Sequence, residues 1–104
     1  MIPKHPVFPG RVRRISPGFG WVDHRLVRER RIHGMSHASL SLYLFLVTVA
    51  DGEGLSHWSK GSVCRILGMD SAVFAKAAAE LQDADLAAYD PPVWQVLDLK
   101  GGRP

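Results

Sequence analysis

The sequence holds one cysteine, Cys64, and no long apolar run. A single thiol excludes a disulfide framework and any zinc site built from several cysteines. The most apolar stretch, Leu40 to Ala50, spans 11 residues, about half of the ~20 that a bilayer-crossing helix needs. It starts too deep in the chain to serve as the apolar part of a secretory leader, so it reads as a buried helix. The expected location is the cytoplasm, with no membrane contact. At 104 residues the chain is also too short for an eight-stranded α/β barrel or a complete dinucleotide-binding fold. No internal repeat or low-complexity tract is present.

What is present suits one small globular domain. Hydrophobic residues make up 46% of the chain and charged residues 22%, close to the globular average, which argues against wholesale disorder. The charge is unevenly placed. Up to Gly34 the chain carries Lys4, Arg11, Arg13, Arg14, Arg25, Arg28, Arg30 and Arg31 against Asp23 and Glu29. The remainder carries Lys60, Arg65, Lys76, Lys100 and Arg103 against eight Asp and Glu. A cationic arm on a mildly acidic body suits a polyanionic partner such as nucleic acid, or an acidic protein surface.

Residues 1–22 contain Pro3, Pro6, Pro9, Gly10, Pro17, Gly18 and Gly20, which forbid a long helix. They predict an irregular arm, with Phe8, Phe19 and Trp21 as the residues to dock on the body. Four helix starts then share one device: a capping side chain for the first-turn N–H groups, preceded by an apolar residue that can staple to one five positions later. The pairs are Asp23 with Val22 and Val27, Ser36 with Met35 and Leu40, Ser59 with Trp58 and Val63, and Asp70 with Met69 and Phe74. The stops are Gly34, Asp51-Gly52, Gly68 and Ala84-Asp85, giving helices over about 24–33, 37–50, 60–67 and 71–84. Asp85 then has to adopt a left-handed conformation, unless the last helix ends otherwise. Leu86–Tyr89 and Val93–Leu99 read as two strands joined at Asp90-Pro91-Pro92. Leu55–His57 is a candidate third strand. Residues 100–104 read as a loose tail.

Over residues 59–99 this order resembles the winged helix-turn-helix family of DNA-binding domains. The resemblance is carried by Ser59, Val63, Ile66, the Leu67-Gly68-Met69-Asp70 turn, then Phe74, Ala78 and Leu81, then Ala84-Asp85-Leu86 and the strand pair. It extends over roughly residues 36–99 and is of the kind found in bacterial regulators and replication proteins. It implies a mainly α fold with a small β-hairpin: a winged helix at residues 23–99, with an extra N-terminal helix, behind an irregular basic arm at 1–22. It also implies that the helix after Gly68 is the recognition helix, that the hairpin is the wing, and that the role lies in transcription regulation or replication.

The residues give an independent account of the same core. Val63, Ile66, Leu67, Phe74, Ala78 and Leu81 can close over the apolar second helix, with Cys64 as a small core residue. At 100° per residue, Phe74, Ala77, Ala78 and Leu81 face inward. The opposite face offers Ala72, Ala75, Lys76, Ala79 and Asp83, with Ser71 near the start, Gln82 to one side and Glu80 at the edge. That face is poor in the Arg, Asn and Gln that read base edges, and the wing turn has no basic residue. Two readings remain. In the first, duplex DNA is the partner. Arg11, Arg13, Arg14, Arg25, Arg28, Arg30 and Arg31 supply phosphate contacts, and Ser71, Ala72, Ala75 and Lys76 lie nearest the bases. In the second, the alanine face packs on another protein and the winged helix is scaffold only. The second helix is apolar nearly all round, which adds a homodimer to the expected partners.

Candidate chemistry is thin. His33 and His37 have helical spacing, but Gly34 and Ser36 interrupt the helix between them, and no carboxylate or cysteine completes a metal set. Ser36-His37 and Ser56-His57 are neighbours in sequence, which does not bring a serine and a base face to face. Gly18-Phe19-Gly20 lacks the strand and spacing of a nucleotide loop. No enzymatic activity, cofactor or metal is expected.

Overall fold

The structure is a computed structural model, and it describes residues 3–13, 18 and 21–99. Among these it has a 3-10 turn at Pro9–Arg11, four α-helices and three β-strands. The helices are α1 (Arg25–Arg28), α2 (His37–Val49), α3 (Lys60–Leu67) and α4 (Ser71–Asp83). The strands are β1 (Leu55–His57), β2 (Ala87–Asp90) and β3 (Val93–Val96). The architecture is therefore mixed α/β with a three-stranded antiparallel sheet, rather than mainly α with a hairpin alone. Strand order is β1-β3-β2, so the last strand is the central one. Leu55 pairs with Gln95 and His57 with Val93 on one side, and Ala87 pairs with Val96 and Asp90 with Val93 on the other. No helix among the described residues is long and apolar enough to cross a membrane.

Local chemistry sets most helix ends. Ser36, Ser59 and Asp70 each sit in extended backbone and accept a first-turn N–H, from Ser39, Ser62 and Val73. Gly68 closes α3 in the left-handed region at φ 67°, and the adjacent Met69 N–H returns to the Cys64 carbonyl. Asp85 takes the same region at φ 61°, the left-handed turn required after α4.

The first helix departs from expectation. It runs only over Arg25–Arg28, because Arg30 turns left-handed at φ 58° and the Ile32 N–H folds back to the Leu26 carbonyl at 3.2 Å. A helix continued to residue 33 would set Leu26 and Ile32 on different faces. The break lets both pack against the core. The Val22–Val27 staple does not form, since both side chains are exposed, and Asp23 accepts the Arg25 N–H at 2.9 Å instead.

The core joins α2, α4 and the sheet. Phe74, Ala77, Ala78 and Leu81 are all buried, as the helical wheel requires, over Leu42, Tyr43 and Leu46 of α2. Fully burying a side chain the size of Phe or Leu contributes roughly 1.5–3 kcal/mol. Trp94 is fully buried, stacks on its cross-strand partner Tyr89 at 4.1 Å, and meets Phe74 edge-on at 6.3 Å. Three expected core or docking residues lie outside it. Ile66 is 55% exposed, because Val63 and Leu67 already face inward on the short α3. Phe8 is 68% and Trp21 76% exposed, since the Phe74–Tyr89–Trp94 cluster closes the sheet without them. Phe19 and the tail at 100–104 lie outside the described residues. Cys64 is half-buried against the core with a free thiol. Beyond Val96 the Leu97 N–H turns to the Leu86 carbonyl, and burial shifts to Leu99 while Asp98 stays exposed.

Candidate nucleic-acid interface

Helix α4 crosses the end of α3 after a turn at Gly68-Met69-Asp70 and packs chiefly on α2. With its inner face buried, its outer face presents Ser71, Ala72, Ala75, Lys76, Ala79 and Asp83, all exposed. Phe74, one turn into the helix, meets Tyr89 and Trp94 edge-on, at 6.1 and 6.3 Å between ring centres. These two residues stand next to the closing Asp90–Val93 pair of the hairpin. The N-terminal half of α4 and the hairpin turn therefore belong to one end of the molecule, and Ser71, Ala72, Ala75 and Lys76 are brought together there.

The same end holds a cation that periodicity did not single out. β1 runs antiparallel to β3, with His57 opposite Val93 beside the hairpin turn. Three residues later α3 begins at the exposed Lys60. No local pattern announces where Lys60 stands, because its position depends on the β1–β3 pairing. Arg65, one turn further along α3, is exposed and reaches the Ser62 hydroxyl at 3.3 Å.

Glu80 does not extend the outer face as a free negative charge. One of its carboxylate oxygens accepts the Ser36 N–H at 3.1 Å, the Ser36 hydroxyl at 2.7 Å and the Ser39 hydroxyl. These serine bonds, Ser39 first, hold its carboxyl below the ordinary glutamate range. Ser39 is fully buried, so the bond ties the first turn of α2 to the third turn of α4. It fixes the tilt of the outer face relative to the core.

Arg25 of the first helix sits elsewhere. The Arg25 guanidinium chelates Asp23, with its closest approach 2.8 Å, and donates to the Leu99 carbonyl at 3.2 Å. Leu99 lies past the end of β3 that is opposite the hairpin turn. The Arg25 side chain and N–H lower the Asp23 pKa to about 2, with a smaller contribution from the charges of Arg25 and Arg28. Arg31 pairs with Glu29 at 3.1 Å, and Arg28 and Arg30 are exposed. Arg11 and Arg13 are exposed on the arm, and Arg14 lies outside the described residues. The structure thus groups the four expected base-facing residues, while Arg25 stands at the far end of the sheet.

Among the described residues no group of three His, Cys, Asp or Glu side chains could hold a metal ion. No protein-family model matches this chain, and no curated protein or solved structure is significantly similar to it.

Proposed function

We propose that this chain is a winged helix-turn-helix protein that binds duplex DNA, with α4 laid toward the major groove and phosphate contacts supplied largely by the arm. The observation that carries the reading is the division of α4 into a fully packed inner face and an entirely exposed outer one. The N-terminal half of that outer face lies at the same end as the hairpin turn. Ser71 and Lys76 are the polar groups of that face, and Ala72 and Ala75 offer methyls to the methyl groups of thymine. Few base-reading side chains and many arginines make a binder that gains affinity from phosphates and little sequence choice from bases. Arg11, Arg13, Arg14, Arg28 and Arg30 are the favoured phosphate ligands. Arg25 serves the fold through Asp23 and Leu99.

Fluorescence anisotropy with a random-sequence duplex at two salt concentrations tests this. Binding that falls steeply with salt is the expected result. No binding at low salt sinks the proposal.

A second reading, in which α4 packs on another protein, is favoured by one feature. A shallow groove of about 390 Å³ runs between Ala38 of α2 and Val73, Ala77 and Ala79 of α4. Small side chains there permit close helix approach. Lys76, Glu80 and Asp83 also line this groove, so Arg13→Ala/Arg14→Ala on the arm separates the two readings: it weakens a contact with phosphates and leaves a partner seated between α2 and α4 unaffected.

A further inference from the structure

Lys76 and Asp83 carry opposite charges on one line of the outer face of α4. They stand seven residues apart, which is two helical turns and about 10 Å along the axis. Both are exposed, as is Ala79 between them. Beside this line the surface dips into the groove between α2 and α4, where Val73 is 40% exposed. Among the described residues nothing covers this face.

Both charges are open to an outside partner. Lys76 acts on Glu80 through its charge, but no ion pair closes between them among the described residues. Asp83 makes no hydrogen bond or ion pair there. Glu80 lies between the two in sequence and would put a like charge at the midpoint of any reversed copy. It is drawn aside instead, since its carboxylate accepts from Ser36 and Ser39 of the α2 start. The midpoint is left to the methyl group of Ala79. Asp83 also sets the occupant, because a phosphate strand laid along the whole face meets a negative charge at its C-terminal half.

We propose that this face pairs with itself: α4 of a second copy lies antiparallel across it, about a two-fold axis beside Ala79. Reversing the helix brings position 76 opposite position 83. Each Lys76 then faces the partner's Asp83, and both ends of the contact match at once. Such a contact is closed and does not propagate. Exposed ion pairs contribute little each, so the pair is weak and forms only as concentration rises. Ala72, Ala75 and Lys76 cannot lie on DNA and on a second copy together. Resting on the DNA-binding reading, self-association is thus a concentration-dependent block of the recognition helix.

Sedimentation equilibrium of the full chain over rising concentration, without nucleic acid, tests the pairing. The mass should climb from 11.5 kDa toward twice that value. Lys76→Asp and Asp83→Lys should each weaken self-association by roughly tenfold or more, since both ends become repulsive. The exchange Lys76→Asp/Asp83→Lys in one chain should restore it, and so should an equimolar mixture of the two single variants. These positions are exposed, so circular dichroism should not change. A saturating random-sequence duplex should dissociate the wild-type pair. A wild-type chain that stays monomeric into the millimolar range, single variants that pair as well as wild type, or an exchange variant that stays monomeric would each overturn the pairing. A pair that binds duplex without dissociating would overturn the block. Pairing with no DNA binding at low salt would sink the DNA reading, and the block with it, while the pairing itself stands.

Discussion

The carbonyl of Gly54 accepts the Val96 N–H at 2.8 Å, and a Cβ placed on Gly54 would stand 2.6 Å from the Val96 carbonyl oxygen. Gly54 also has a left-handed φ of 83°. The approach to β1 therefore lies flush against the central strand, where the close neighbour is backbone and cannot swing aside. Gly68 has a similar φ of 67°, but nothing stands within 4 Å of its missing Cβ. Gly68→Ala should cost about 1–2 kcal/mol, the strain of the left-handed conformation alone. Gly54→Ala should cost clearly more, because the sheet edge has to shift as well. Urea unfolding of the two variants compares them, and equal losses would remove the close-approach account.

The serine bonds to Glu80 make stability acid-sensitive. They lower the folded-state pKa of Glu80 below the ordinary glutamate value of 4.5. The contribution is complete above the unfolded value and is lost as pH falls through the folded one. Asp23 behaves alike, its pKa falling from the ordinary 3.8 to about 2. Glu80→Gln keeps an acceptor oxygen but loses the charge. Its melting temperature at neutral pH should fall between those of wild type and Glu80→Ala. On acidification through the carboxylate range, the gap between wild type and Glu80→Ala should shrink. A gap that stays constant would show that the charge of Glu80 contributes nothing.

Trp94 Nε1 and Ser56 Oγ are buried with no hydrogen-bond partner among the described residues, and the two residues face each other across the β1–β3 ladder. The value of Trp94 therefore lies in packing against Tyr89 and Phe74. Trp94→Ala should cost about 3–5 kcal/mol, and Trp94→Phe much less, since no indole bond is lost. Ser56→Ala removes an unsatisfied hydroxyl and should be neutral or stabilising, by roughly 1 kcal/mol at most. A Ser56→Ala variant that unfolds at distinctly lower urea would contradict this.

On DNA, Lys76→Glu should weaken binding by about tenfold. Arg13→Ala/Arg14→Ala should weaken it to a similar extent on every duplex sequence and flatten the salt dependence. A loss confined to particular sequences would assign the arm to base reading. Removing residues 1–20 without loss of affinity would take the arm out of the interface.

The ends of α3 and α4 were legible because single residues set them: Ser59, Gly68 and Asp70 act within one turn of chain. So was the inner face of α4, where one apolar stripe has one core to meet. The length of α1 was not. Arg28-Glu29-Arg30-Arg31 favours helix by intrinsic propensity, and only the demand that Leu26 and Ile32 share one surface breaks it. The role of Glu80 was hidden for a related reason, since its donors are 44 and 41 residues away. His57 comes to lie beside the hairpin turn only through the pairing of β1 with β3.

The strand order has a consequence for biosynthesis. Among the described residues β1 and β2 each pair only with β3, the last of the three strands. As the polypeptide emerges, all four helices and two strands appear before the segment that joins them. A chain interrupted before Val93 carries two unpaired edges and lacks Trp94, the largest of its fully buried side chains. Such fragments would be sticky and open to proteolysis.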